Sequence, residues 1–341
     1  MTTIKDIARE AGFSVSTVSR VMAGHPDVSP DTAAAVRAVI ERHHFRANRN
    51  ARNLKQSVSH TILVMVKGRS NLLFASLLEQ VQQAVTATGH SVVTQYLDED
   101  DDEMAEAERL VPEIKPRGVI FLGADAGNAG SARLIGVDCP AVVLTNTVPD
   151  GGRAISCVTT DDRAAAAAAV TYLIERGHRA IGVVGGIPEH SMMSSHRRDG
   201  VLAAMMAAGL PFDDSKYIGT RYSMACGHAG AMALLDATPG LTAIYAMSDI
   251  MAIGAVRALH ERGRTVPGDI SVIGHDGTAL ASYMVPKLVT IRQPQDKMAR
   301  LGVELLMRHI AGDLPAVTRI VDFEIMAGES VRPIEPPDRA E

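Results

Sequence analysis

Two hydrophobic rhythms divide the chain. As far as residue 46, apolar positions recur every three or four residues: Ile4, Ile7, Ala8 and Ala11, then Val18, Val21 and Met22, then Val36, Val39 and Ile40. Each group predicts one buried face of a short helix. The boundaries agree with that reading. Thr3 with Asp6 reads as a capping box, Gly12 stops the first helix, Ser14 caps a second that runs to about Met22, and Ser29 followed by Pro30 starts a third. Two helices across a tight glycine turn, with a third to close the core, form a helix-turn-helix unit.

From Thr61 the rhythm changes to apolar runs separated by helical stretches. The predicted strands are 61–66, 91–96, 118–123, 141–145, 180–185, 243–247 and 270–274, and the predicted helices include Phe74–Thr88, Arg163–Arg176, Arg198–Ala208 and Asp249–Arg262. Repeated strand–helix units imply α/β architecture, with parallel sheets covered by helices on both faces. So many units favour two lobes over one sheet. Between head and body lies "NRNARNLKQS" (48–57), basic and free of proline. It reads either as a flexible linker or as a helix that forms on DNA, with Arg49 and Arg52 on phosphates and Leu54, beside Ala51, wedged between base steps.

Charge sharpens the division. Up to Val58 there are nine Lys/Arg against five Asp/Glu, whereas the whole chain of 341 residues carries −5. A basic head on an acidic body suggests that only the head meets a polyanion. The second helix, inside "GFSVSTVSRVM" (12–22), crowds Ser14, Ser16, Thr17 and Ser19 ahead of Arg20. Hydroxyls are poor choices for a solvated helix face but suit a helix in the major groove. Val15, Ser16 and Arg20 are the candidate base readers, Arg20 through a bidentate grip on guanine, and Thr17 and Ser19 the phosphate contacts. The competing reading, a helical module with a polar surface, does not explain the local positive charge.

Other classes lack their signatures. Cys139, Cys157 and Cys226 share no close spacing, so neither disulfides nor a zinc cluster is indicated, and no apolar run is long enough to span a bilayer. "MTTIKDIARE" has no secretory pattern, and a cytoplasmic protein is expected. There is no nucleophile elbow, no dinucleotide fingerprint and no Walker loop, so neither an enzyme nor a cofactor is expected. The pair His275–Asp276 has no partner ligands at metal spacing, and His275 reads as packing.

The stretches "TIKDIAREAGFSVSTVSRVMAG" (3–24), "VSPDTAAAV" (28–36), "NARNLKQS" (50–57), "LIERGHRAIGVVGG" (173–186), "RRDGVLAAMMAAGL" (197–210), "AMSDIMAIGAVRALHERGRTVPGDISVIGHDG" (246–277) and "VTIRQP" (289–294) resemble the LacI/GalR family of bacterial transcription regulators. The resemblance covers nearly the whole chain. It implies a helix-turn-helix domain at 1–46, a hinge helix at 47–59 and, at 60–330, a periplasmic-binding-protein-like effector domain of two Rossmann-like lobes. The N-lobe would hold about 60–160 and 292–318, the C-lobe about 161–291 and 319–330, with a tail at 331–341. It further implies a homodimer on a near-palindromic double-stranded operator and a small sugar-like effector, with repression as the expected outcome. The DNA-contacting set is then Ser14, Val15, Ser16, Thr17 and Arg20, with Asn48, Arg49, Ala51 and Leu54 in the hinge, Leu54 matching the intercalating leucine.

The same resemblance implies effector contacts from Leu73, Phe74, Asn146, Arg197, Tyr222, Ser248, Asp276 and Gln293. Read from the residues alone, Asp276 follows a strand and is expected at the cleft rim, where α/β ligands sit. Arg197 is expected at a helix start, Asp249 is as suited to capping a helix as Ser248 is to meeting ligand, and Asn146 and Gln293 lie near lobe crossovers that either could serve. The chain departs from the family where Asn-Pro-Phe-Phe becomes "NLLF" (71–74) and Phe-Asp-Asp becomes "HDG" (275–277), so a reshaped pocket is expected. The tail "VRPIEPPDRAE" has three prolines and no heptads, which favours a dimer over a coiled-coil tetramer. The alternative reading is a sugar- or nucleoside-binding protein of the same body fold with no transcriptional role.

Overall fold

The computed structural model describes residues 3–22, 25, 27–43, 60–125, 139–148, 155–312 and 315–334. The chain forms two compact units, Met1–Ser59 and His60–Glu341. The hinge residues Asn48, Arg49, Ala51 and Leu54 lie outside the described residues.

The first unit contains α1 (Ile4–Ala11), α2 (Val15–Met22) and α3 (Pro30–Arg42). Both strands of the Thr3–Asp6 capping box are formed, and Gly12 ends α1 at φ 75°, a conformation that costs glycine no Cβ clash. Ser14 accepts the Thr17 amide at 3.1 Å and Ser29 accepts the Thr32 amide at 3.3 Å. Ile7, Ala8, Val18, Val21, Val36 and Val39 make one small core. Glu10 of α1 takes Arg42 at 2.9 Å and His43 at 2.6 Å, tying the first helix to the end of the third.

The second unit runs β1 (Thr61–Lys67), α4 (Leu72–Ala87), β2 (Ser91–Leu97), α5 (Glu103–Ile114), β3 (Gly118–Leu122), β4 (Ala141–Leu144), β5 (Ile155–Thr159), α6 (Asp162–Glu175), β6 (Ile181–Gly185) and α7 (Met192–Ala207). It continues with β7 (Tyr217–Gly219), α8 (Met224–Ala237), β8 (Ala243–Ala246), α9 (Asp249–Glu261), β9 (Ser271–Asp276), α10 (Ala279–Tyr283), β10 (Val289–Arg292), α11 (Gln295–Ala311), β11 (Thr318–Ile320) and β12 (Glu324–Met326). One sheet has the order β11-β5-β4-β3-β1-β2 and the other β12-β10-β9-β8-β6-β7. All pairings are parallel except β10 with β12. The chain therefore passes between lobes after β5, after β10 and after β11. Helix α11 follows a strand of the second sheet yet packs on α4, β3, β4 and β5 of the first.

Central strands are buried on both faces, which is why they read as unbroken apolar runs. Three clusters fill the layers, one spanning the second lobe and two on the faces of the first sheet. Helices α8 and α9 approach backbone to backbone: a Cβ at Gly254 would lie 2.1 Å from the Met224 carbonyl oxygen. Only glycine permits that approach.

Seven predicted strands are present within two residues at either end, but β5, β7, β10, β11 and β12 are short and carry too few alternations to stand out. Helix α7 starts at Met192, well before the predicted Arg198, because its first turns ("MMSSHRR") carry no apolar stripe and are held by the Ser191 cap.

Candidate functional site

On the first unit, α2 presents its hydroxyls together. Ser14 Oγ lies 2.7 Å from Ser16 Oγ and 2.9 Å from Thr17 Oγ1, at the amino end of the helix, where backbone N–H groups favour anions. Ser14, Val15, Ser16 and Arg20 are exposed, Val15 at 38%, and Thr17 is half-buried. Arg20 takes no part in an ion pair among the described residues, so its guanidinium is available to a base edge or a phosphate.

On the second unit, a cavity of about 100 Å³ lies between the lobes. Its wall is built from the loops at the carboxyl ends of β1, β2, β3 and β4 on one side and of β6 and β7 on the other. Strand direction places it there: parallel strands end together, and the loops that follow them are free to meet a ligand. Phe74 and Tyr222 supply rings, and the Tyr222 hydroxyl lies 3.0 Å from Ser194 Oγ. Gly186 makes that pairing possible, since a Cβ there would lie 2.1 Å from Ser194 Oγ.

Three of the eight expected effector residues, Phe74, Asn146 and Tyr222, line this cavity. Asn146 donates to the Ala124 carbonyl at 3.0 Å and accepts the Thr147 amide at 2.9 Å, which leaves one donor and one acceptor position of its amide for a ligand. Within "NLLF", Asn71 caps α4, Leu73 turns into the core at 1% exposure, and Phe74 faces the cavity. Arg197, Ser248, Asp276 and Gln293 are buried off the wall.

Each of those four is held by buried partners of its own. Arg197 is not at a helix start but in the second turn of α7, where its Nε donates to Asp162 Oδ1 at 2.7 Å and its Nη1 to the Met247 carbonyl at 2.5 Å. Burial pushes the Asp162 carboxyl up even though Arg197 pulls it down. Burial also opposes the Arg197 charge, but Asp162 together with Tyr222, Asp276 and Tyr245 outweighs it and the guanidinium pKa rises. Ser248 is the cap of α9, accepting the Met251 amide at 3.3 Å, which leaves Asp249 to other partners. Asp249 accepts Thr290 Oγ1 at 2.5 Å, the Thr278 amide at 2.6 Å and Thr278 Oγ1 at 2.9 Å.

Asp276 is buried, 1% exposed, rather than at the rim, because the crossover after β10 folds Gln293 over it. Gln293 donates to Asp276 Oδ1 at 3.1 Å and accepts Thr160 Oγ1 at 3.2 Å, so one side chain joins two crossovers. Asp276 holds φ at 115°, a conformation costly for a side-chain-bearing residue, and its Oδ2 has no partner. His275 is buried, with Nδ1 2.8 Å from the Tyr245 hydroxyl; burial keeps it neutral.

Burial raises Asp276 well above the usual carboxylate range and Asp249 from 3.8 to about 6. A carboxyl with a raised folded pKa binds its proton more tightly in the folded state, so its contribution to stability is complete below pH 4 and declines as pH rises through about 6. For Asp249 that decline is at most about 3 kcal/mol. Urea unfolding at pH 4.5 and pH 7 should show it, with a flatter dependence in Asp249→Asn; an identical slope in the variant removes Asp249 from the account.

Several site residues were missed in the sequence. Asp162, Glu99, Asp125, Thr145 and Arg221 reach the site from loops or helix starts, with no motif to mark them. Arg221 pairs across the cleft with Asp98, with Glu99 at 3.6 Å and with Asp100 at 3.4 Å. The Met192 amide donates across it to Asp125 Oδ2 at 2.9 Å. These contacts hold the lobes together.

Comparison with known proteins agrees with both units. Residues 3–48 match the family described as "Bacterial regulatory proteins, lacI family", and residues 170–331 match the periplasmic binding protein-like domain. The chain is 34% identical over 333 residues to the HTH-type transcriptional regulator MalR of Clostridium butyricum, covering 96% of this chain and 98% of that one. It is 35% identical over 321 residues to GalS of Salmonella typhimurium, covering 92% of each. The solved complex of the transcriptional regulator CelR with cellobiose superposes with a TM-score of 0.72 at 27% identity, over 97% of this chain and 100% of that one. With a helix-turn-helix head, a two-lobed body and similarity along nearly its full length, the chain belongs to the lacI family of bacterial regulatory proteins and is a DNA-binding transcription regulator.

Proposed function

We propose that the chain is a repressor that binds a near-palindromic operator as a homodimer and releases or tightens its grip when a small sugar-like effector enters the cavity between the lobes. The observation that carries this reading is the pairing, in one regulator chain, of an exposed hydroxyl-and-arginine helix face with a ring-lined cavity bridged by both lobes. A solved relative holds cellobiose, which supports a sugar as the effector class here. The protein acts where the chromosome is, in the cytoplasm, and turns nothing over.

An effector that prefers one degree of lobe closure shifts the balance between states of the dimer, and with it operator affinity. The sign depends on which state it prefers. Thermal unfolding against a panel of sugars tests the reading: a ligand at a hundred times its dissociation constant adds about 2.7 kcal/mol. Operator binding with and without the hit then gives the sign. A hit that leaves operator affinity unchanged rejects the allosteric reading.

Arg20→Ala is expected to cost about 1–3 kcal/mol at the cognate operator and to relax selectivity at one base pair. Equal losses on every sequence, measured by titration at fixed salt, would instead make Arg20 a phosphate contact.

A further inference from the structure

The cavity between the lobes is acidic, and its cations are already committed. Glu99, Asp100 and Asp125 stand on its wall, with Asp98 and Glu103 just behind. Against them stand Lys67 and Arg221. Lys67 is held by Glu103 at 2.6 Å within its own lobe, and Arg221 by three acids of the facing lobe. Arg197, buried off the wall, is held by Asp162 in its own lobe. Among the described residues, the other basic side chain on the wall is the exposed His190.

A second, independent feature points the same way. Thr145 Oγ1 lies on the wall, 3% exposed, with no hydrogen-bond partner. Burial also raises the Glu99 and Asp125 carboxyls, although each accepts a backbone amide across the cleft, Glu99 from Tyr222 at 3.4 Å and Asp125 from Met192 at 2.9 Å. Entry of a ring ligand requires the lobes to part, because about 100 Å³ is well below the roughly 300 Å³ of small-ligand sites. Parting frees Arg221, but it frees Asp98, Glu99 and Asp100 with it, and Lys67 stays with Glu103. The opened cleft remains net negative.

An anionic ligand entering this cleft would lose hydration and meet a wall on which Glu99, Asp100 and Asp125 outnumber Lys67 and Arg221, with Lys67 still held by Glu103. A neutral ligand with several hydroxyls instead brings donors to those carboxylates and stacks its apolar face on Phe74 and Tyr222. We infer that the cleft selects a neutral, hydroxyl-rich ligand and rejects the carboxylated or phosphorylated form of the same molecule. This rests on the effector reading above.

The test is thermal unfolding of the full chain with matched sets at equal concentration and ionic strength: neutral mono- and disaccharides, the corresponding uronates or aldonates, and the 6-phosphates. The expected result is a raised midpoint with one or more neutral members, and affinities at least about tenfold weaker for their charged counterparts. Glu99→Gln and Asp125→Asn should each weaken the neutral ligand and narrow the discrimination several-fold. A uronate or phosphate that stabilises as well as its neutral counterpart overturns the inference and leaves the effector reading standing. Discrimination unchanged in both variants also overturns it. No shift from any member overturns it together with the effector reading.

Discussion

Replacing Arg197 with Met is expected to lower the stability of the two-lobed body by about 3–5 kcal/mol, the cost of leaving a buried carboxylate without its partner. Both members of the Arg197–Asp162 pair are buried, at 1% and 6% exposure, and their side chains meet at 2.7 Å. Burial alone already raises the Asp162 carboxyl, so without the guanidinium it must either take up a proton or carry an unpaired charge. Arg197 also holds the carbonyl of Met247, at the end of β8, and its loss releases that strand end as well. In thermal unfolding the midpoint should fall by on the order of 10 °C.

The double variant Arg197→Met with Asp162→Leu should recover most of that loss, because apolar side chains of similar size can replace a buried ion pair at little cost. Recovery would show that the loss in the single variant comes from the buried carboxylate left unpaired and not from missing side-chain packing. A cost below about 1 kcal/mol for Arg197→Met alone would mean that water reaches Asp162, and that the pair contributes no more than an exposed one.

The second expectation concerns the head. Ile7→Asp should abolish specific operator binding, a loss of at least about 4 kcal/mol to the non-specific level, while leaving unfolding of the body unchanged. Ile7 is fully buried in a core of only six residues and lies on α1, away from the exposed hydroxyls of α2. An unpaired carboxylate there cannot be hydrated without opening the domain. So small a core has little stability to lose. Calorimetry should show the body transition at its usual temperature and the head transition absent, with operator affinity falling to that of random DNA. Retained specific binding would show that the head tolerates a charge at its centre, and that DNA contacts rather than the core hold it together.

A feature is readable in the sequence when it is decided over a short distance along the chain. The helices of the head follow from caps and stripes spanning three or four residues, and Ser14, Ser29 and Gly12 act where their sequence places them. The central strands were legible because burial on both faces leaves an apolar run. Phe74, Asn146 and Tyr222 reach the cavity because each sits just beyond a strand end or on the helix turn that follows one.

The remaining features are decided by closure of the chain. Helix α7 opens with polar residues whose partners are elsewhere, so its start was invisible, and with it the inward course of Arg197 toward Asp162, 35 positions earlier. Gln293 joins Thr160 of one crossover to Asp276 Oδ1, a pairing set by where the chain passes between the lobes and not by its neighbours in sequence. The acidic wall and the Arg221 contacts join positions 123 residues apart. The two units, their apolar rhythms and the hydroxyl-rich helix of the head follow from neighbours along the chain and are readable there. Which charged groups line the cavity, and which are consumed in pairs across the cleft, depends on which strand ends meet there, and that is set by the folded chain.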